Sequence, residues 1–184
     1  LASARTAIDA IDTSPVGFAV FDRVLLTVHP TDCQVREFFA TRLAKQAQSG
    51  EGRPGARLPT SPADLMLRMV NHMVDSYLEL RRLLTRQFSY LQQELFRPRS
   101  SFRNWQLLLD SRNALHLLED TCEDQRSALV EWIDALEEWP DVPDKSVRRE
   151  RELLRLRSRD VLEHIERVLT HVRRLESSAE TAVQ

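Results

Sequence analysis

The stretch LRLRSRDVLEHIERVLTHVRRLESSAETA, residues 154–182, carries apolar side chains at alternating steps of four and three residues. This is coiled-coil spacing, in which one stripe of a helix faces its partners. The apolar stripe consists of Leu154, Ser158, Val161, Ile165, Val168, Val172, Leu175, Ala179 and Ala182. Only Ser158 among these is polar. Since Leu162 and Leu169 add a second stripe, we expect the helix to contact several others, from this chain or from its copies.

Glycine is absent from the same part of the chain. The protein has 184 residues and four glycines, none of which lies between Ala56 and Gln184. Glycine and proline interrupt regular structure, and prolines mark two breaks, at residues 97–101 (RPRSS) and 139–143 (WPDVP). The pattern predicts three very long helices, over about residues 61–97, 100–139 and 143–184. Short connections force such neighbours to run antiparallel, so their order should be up, down and up.

The segment before these helices has a different character. Two β-prone runs, residues 16–21 and 24–29, are separated by Asp22-Arg23 and predict a hairpin. Thr31-Asp32 can cap a helix over residues 33–47, and residues 48–60 hold three glycines and predict a flexible loop. Residues 1–14 fit a helical turn or two. The expected fold is mainly α: three very long antiparallel helices, preceded by a small β-hairpin and a shorter helix.

Composition excludes several classes of protein. The net charge is −2, whereas a general nucleic-acid binder is usually strongly basic. Cys33 and Cys122 lie far apart, which favours a reduced cytosolic setting. No apolar run approaches the roughly 20 residues that a membrane helix needs. The chain begins at Leu1, and its last residues still fit the helical pattern, so we expect a fragment of a longer protein.

Charge is distributed unevenly between the second and third long helices. Residues 100–141 contain ten acids and three arginines, a net of −7, and residues 143–184 contain ten bases and eight acids, a net of +2. The favoured interpretation is solvated faces with acid–base pairing between neighbouring helices. The alternative is that the acidic helix attracts cations.

Few residues suggest chemistry. The glycines are too few and wrongly placed for a phosphate-binding loop, no HExxH occurs, and nothing supports an active site, so we do not expect an enzyme. Asp160, Glu163 and His164 lie at i, i+3 and i+4, share a helix face and could approach one cation. Such trios are also common on charged helices that bind no ion. Asp75 beside Tyr77 is expected to pack and to form hydrogen bonds rather than to react.

Three segments resemble the CorA-type magnesium transporter family. Residues 61–96 (SPADLMLRMVNHMVDSYLELRRLLTRQFSYLQQELF) are similar to the family's first long helix, with Val74, Asp75 and Tyr77 matching its Val/Leu-Asp-x-Tyr step. Residues 18–29 (FAVFDRVLLTVH) resemble the last strands of its N-terminal cytoplasmic domain. Residues 158–164 resemble the Arg-Asp-Val-x-Asp-His stretch that opens its stalk helix. The likeness covers about residues 16–184.

The resemblance implies a homopentameric divalent-cation channel of the inner or plasma membrane, with this chain at the cytoplasmic face. Residues 1–60 would be the C-terminal part of a cytoplasmic α/β domain, and residues 61–184 a helical hairpin and a stalk helix leading towards membrane spans. The implied ion is Mg²⁺, regulatory and transported, with Zn²⁺ or Co²⁺ as alternatives; none is expected to bind tightly to this chain alone. No nucleic-acid partner is implied.

The resemblance also implies roles for individual residues in cation binding. An acid at the position of Asp160 helps the family to bind regulatory cations between subunits, and Glu163 and His164 are its weaker neighbours here. Three features depart from the family pattern. Most of the N-terminal domain is missing, a second stalk acid falls at Gln184, and the pore with its Gly-Met-Asn tripeptide lies outside the sequence.

Two further expectations concern surfaces and the alternative function. Arg97, Arg99 and Arg103 cluster at the tip between the first two long helices, which the up-down-up order places towards the membrane and its anionic lipids. An ordinary solvated turn is the alternative for this tip.

The alternative function for the whole chain is a three-helix coiled-coil scaffold that binds protein partners and transports no ion. Two apolar stretches of about 20 residues encoded beyond Gln184 would favour the transporter.

Overall fold

The computed structural model describes residues 13–48, 58–95 and 102–181. Its elements are β1 (Gly17–Val20), β2 (Leu25–Val28), α1 (Gln34–Gln48), α2 (Pro62–Leu95), α3 (Phe102–Glu137) and α4 (Lys145–Thr181). The three long helices contain 34, 36 and 37 residues. The predicted fold class is therefore confirmed, and the described residues of the three long helices all lie within the predicted bounds. The helical turns predicted within residues 1–14 and most of the predicted loop, residues 49–57, lie outside the described residues.

The hairpin forms where the two β-prone runs predicted it. β1 and β2 pair antiparallel, with Gly17 opposite Val28 and Val20 opposite Leu25. The backbone N–H of Phe21 donates to the carbonyl of Val24 at 2.9 Å and closes the turn around Asp22-Arg23. The following helix α1 begins after Cys33, whose carbonyl accepts the N–H of Glu37 at 3.1 Å. Cys33 therefore takes the cap position that Thr31-Asp32 was predicted to fill.

Local side-chain chemistry explains where α2 and α4 begin. At the start of α2 the Ser61 hydroxyl accepts the N–H of Asp64 at 3.1 Å, and Pro62 is the first helical residue, as predicted. At the start of α4 the Asp144 carboxylate accepts the N–H of Ser146 at 2.7 Å. Both bonds satisfy backbone donors that have no partner within the helix.

The chain forms two compact units. The first unit contains Val74–Pro140 and the part of α4 from residue 162 onward, and the second contains Ser14–Met73 and Asp141–Val161. Within the first unit, α3 runs antiparallel to both of its neighbours, because the residue numbers of contacting pairs rise on one helix as they fall on the other. These pairs are Tyr77 with Cys122, Gln87 with Ser111, Arg126 with Glu166, and Glu119 with Arg173. The predicted up-down-up order is confirmed in this unit.

The apolar stripe of α4 is buried within a single chain. In the second unit Leu154, Ser158 and Val161 are buried, and in the first unit Ile165, Val168 and Val172 are fully buried. The Ser158 hydroxyl donates to the carbonyl of Leu154 at 2.8 Å, so its own helix satisfies this polar group. Of the remaining stripe positions, Leu175 is half-buried, while the side chains of residues 179 and 182 lie outside the described part.

The long helices are amphipathic. In the first unit α2 contributes Val74, Leu84 and Leu91 to the core, and α3 contributes Leu115, Leu118 and Leu136, all nearly inaccessible to solvent.

Across residues 13–48, 58–95 and 102–181, no helix combines the length and the apolarity that a membrane crossing requires.

Candidate metal centre

Acid–base pairs connect α3 to α4 in the first unit. Arg173 Nε donates to Glu119 Oε1 at 2.7 Å, and the same guanidinium pairs with Glu123. Arg126 Nε donates to Glu166 Oε1 at 3.2 Å. The predicted pairing between the acidic helix and its basic neighbour is confirmed by these contacts.

Next to this network, three potential metal ligands come together. His116 Nδ1 lies 2.6 Å from Glu176 Oε1, and Glu119 stands on the same face of α3, three residues after His116. One ligand atom from each of the three side chains lies within 4.8 Å of the other two. Glu176 is 15% exposed, whereas His116 is 49% exposed and opens the cluster to solvent. An imidazole with two carboxylates is a ligand set that divalent transition metals accept.

The charge state of this cluster follows from its partners. The hydrogen bond from Arg173 holds the pKa of Glu119 below its ordinary value of 4.5, and burial opposes this effect. A hydrogen bond with Glu176 and the charges of Arg173 and His116 act in the same direction as the first bond. Glu119 is therefore an ionised acceptor at neutral pH.

Sequence reasoning missed this cluster because its parts are far apart along the chain. His116 and Glu119 are on α3, but Glu176 comes from α4, and the five histidines look scattered when only neighbours in sequence are considered. The i, i+3 spacing of His116 and Glu119 was the available signal. That signal alone does not select a partner on another helix.

Asp160, Glu163 and His164, the trio predicted to approach one cation, all lie on α4. In the second unit, Asp160 has an exposed carboxylate. In the first unit, Glu163 Oε1 pairs with Arg167 Nη2 at 3.5 Å, and both side chains are largely exposed. His164 is 21% exposed, with Nε2 4.0 Å from Asp75 Oδ1. The joint binding of one ion by Asp160, Glu163 and His164 stays a prediction.

The Val74-Asp75-x-Tyr77 segment is mainly a packing element. Val74 is fully buried, and burial raises the pKa of Tyr77 to about 12, with a smaller contribution from nearby Cys122. Burial also raises the pKa of the Cys122 thiol to about 12, helped by the negative charges of Glu123 and Glu119. Both groups are neutral at physiological pH, so neither is a ready nucleophile or base.

The arginines of the predicted tip lie at the margin of the described structure. Arg97 and Arg99 are outside the described residues. Arg103 is the second residue of α3, and its side chain is outside the description. The assignment of this tip to a lipid surface therefore stays a prediction.

Comparison with protein families gives one match. A family model described as "CorA-like Mg2+ transporter protein" matches residues 3–183, which is nearly the whole chain. No curated protein matches the chain. The family match spans both units and all four described helices.

Proposed function

Because this chain belongs to the CorA-like Mg²⁺ transporter family, we propose that it forms the cytoplasmic regulatory and stalk portion of a divalent metal ion transporter, with Mg²⁺ as its main ion. The observation that carries this proposal is the family match over residues 3–183. Residues 1–60 are then the end of a cytoplasmic α/β domain, and residues 61–184 are the helical hairpin and the stalk. The protein is a transporter component rather than an enzyme.

The dimensions of α4 support a stalk role. At about 1.5 Å per residue, its 37 residues correspond to a helix of roughly 55 Å. That length can connect a cytoplasmic domain to a membrane, whereas a typical globular helix has three or four turns. In the complete protein we place five such stalks around one axis, at the cytoplasmic face of the inner or plasma membrane, with no nucleic-acid partner.

Asp160 is our choice for the regulatory cation contact. Its carboxylate is exposed on α4. Mg²⁺ prefers oxygen ligands and keeps several waters, so one carboxylate per subunit suffices if a neighbouring subunit supplies others. Glu163 is a weaker candidate because Arg167 already pairs with it, and the imidazole of His164 is a poorer ligand for this hard cation.

The arginine tip supplies a second, independent contact with the membrane. Arg97, Arg99 and Arg103 would lie near anionic headgroups, where each basic residue contributes about 1 kcal/mol. The triple alanine variant should then bind less to vesicles that contain anionic lipid, while neither protein binds neutral vesicles. Equal binding of both proteins to anionic vesicles would leave the tip as an ordinary solvated turn.

A flux experiment on the complete protein tests the function. Reconstituted into vesicles, it should conduct Mg²⁺, and internal Mg²⁺ should inhibit the flux. Zn²⁺ and Co²⁺ are measured in parallel as alternative ions. Asp160→Asn should weaken the inhibition without abolishing the flux, while Glu131→Gln, at an exposed position of α3, serves as the control. Absence of any divalent-cation flux would instead favour the coiled-coil scaffold.

A further inference from the structure

We propose that His116, Glu119 and Glu176 bind one divalent transition-metal ion, of the class of Zn²⁺ or Co²⁺, between α3 and α4 of the first unit. This site goes beyond the proposed function, which assigns regulatory Mg²⁺ to Asp160. It shares no residue with that assignment.

The geometry of the cluster is close to that of a bound metal. Ligands held about 2.0–2.2 Å from a tetrahedral ion lie about 3.4 Å from one another. The three ligand atoms here lie within 4.8 Å of each other. To bind one ion, the carboxylate of Glu119 must move closer to the other two ligands, and the 2.6 Å distance between His116 Nδ1 and Glu176 Oε1 must lengthen slightly. Rotation of long glutamate side chains is enough for both changes. The helices that carry them are already fixed by the buried core between α3 and α4.

Charge supplies an independent reason for a cation. Glu119, Glu123 and Glu176 bring three carboxyl groups to the cluster and its border. Two guanidiniums offset part of this charge, because Arg173 pairs with Glu119 and Glu123, and Arg126 pairs with Glu123 at 4.0 Å. A divalent ion held by Glu119 and Glu176 would add positive charge on the side of the cluster that faces His116.

The ligand types select the kind of metal. Mg²⁺ requires nearly octahedral oxygen coordination, whereas an imidazole nitrogen with two carboxylates suits Zn²⁺, Co²⁺ or Ni²⁺. His116 is the residue that makes this difference. It is half exposed, which leaves an entry path and room for a water as the fourth ligand.

Titration of the 184-residue chain tests the site. Zn²⁺ is added in competition with a chromophoric chelator, and Co²⁺ is followed by its visible absorption, which reports nitrogen and oxygen ligation directly. We expect one ion per chain. His116→Gln and Glu176→Gln each remove a ligand and should weaken binding by more than about 10-fold, since even the loss of an outer-shell partner costs about 10–100-fold. Arg173→Gln should tighten binding, because it removes a cation that competes for Glu119.

Matched controls make the result decisive. His171→Gln changes an exposed histidine on α4, the helix that also carries Glu176, and should leave Zn²⁺ binding unchanged. Asp160→Asn should also leave Zn²⁺ binding unchanged. Circular dichroism confirms folding, and Glu119→Gln replaces any variant that unfolds. The proposal is overturned if the chain binds no Zn²⁺ saturably, or if His116→Gln binds as the unmodified chain does. Loss of binding in Asp160→Asn instead would assign the ion to the proposed regulatory residue.

Discussion

The carboxylate of Asp64, at the start of α2, is buried against the guanidinium of Arg157 on α4, with Oδ1 and Nη1 2.5 Å apart. The Asp64 side chain is 2% exposed and that of Arg157 is 45% exposed. The other carboxylate oxygen accepts the N–H of Thr60 at 3.0 Å and pairs with Arg68 at 3.0 Å. One side chain therefore caps α2 and fixes the register of α4 within the second unit.

This arrangement predicts unequal costs for its two partners. Asp64→Ala should lower the free energy of unfolding by about 2–4 kcal/mol, because it removes a helix cap and a buried charged hydrogen-bond acceptor. Arg157→Gln should cost only about 1 kcal/mol, since Arg68 still neutralises Asp64. Urea denaturation followed by circular dichroism measures both. In the exposed Glu79–Arg82 pair, Glu79→Gln is the control and should cost less than about 0.5 kcal/mol.

A buried polar pair between α2 and α3 gives a second prediction. Gln87 Nε2 donates to the Ser111 hydroxyl, which donates to the carbonyl of Leu107 at 2.7 Å. Both side chains are buried, and within the described residues Gln87 Oε1 has no hydrogen-bond partner. Ser111→Ala should cost about 1–3 kcal/mol because it leaves the Gln87 amide unsatisfied.

The matching double variant separates this effect from lost packing. Gln87→Leu combined with Ser111→Ala removes both polar partners, so its stability should return to within about 1 kcal/mol of the unmodified chain. If the two single costs simply add in the double variant, the hydrogen bond is not what couples these residues.

Tyr77 and Cys122 predict a loss of stability at alkaline pH. Both pKa values are raised to about 12 in the folded chain, from 10.0 for the tyrosine and 9.0 for the thiol. Above pH 9 the unfolded chain therefore releases protons that the folded chain retains. The stabilisation is fully present below about pH 9 and is lost as the pH rises towards about 12, with a slope of at most about 1.4 kcal/mol per pH unit for each group.

Urea midpoints between pH 8 and 11 measure this slope. Cys122→Ala and Tyr77→Phe should each flatten it, because each removes one of the two ionising groups. All other residues are identical in the three proteins, so a difference in slope reports the removed group alone. The prediction is contradicted if stability falls with pH as steeply in both variants as in the unmodified chain.

The long helices and the buried face of α4 were predictable because their signals are local. The four-and-three spacing of the stripe and the Ser61-Pro62-Ala63-Asp64 start each lie within one helix. Spacing identifies which face of a helix is buried, but it does not determine which residue on the next helix that face meets. The contact of Asp64 with Arg157 and that of His116 with Glu176 both depend on the register between helices. For that reason the sequence pointed to Asp160 and its neighbours, and the cluster around His116 became visible only in three dimensions.

The last prediction concerns assembly of this 184-residue chain. The apolar stripe would favour association at roughly 25 cal/mol per Å² of apolar surface, but Leu154, Ile165, Val168 and other stripe residues are already buried within one chain. Among the described residues of α4, the exposed large apolar ones are Leu153 and Leu156, at 46% and 57% exposure, whereas a stable interface uses about 20–30 residues a side. We therefore expect a monomer or a weak dimer that retains the three long helices. Light scattering at several concentrations measures this, and Leu156→Lys should remove any dimer. A stable pentamer would show that the helices alone encode the assembly and that the stripe rearranges to meet other subunits.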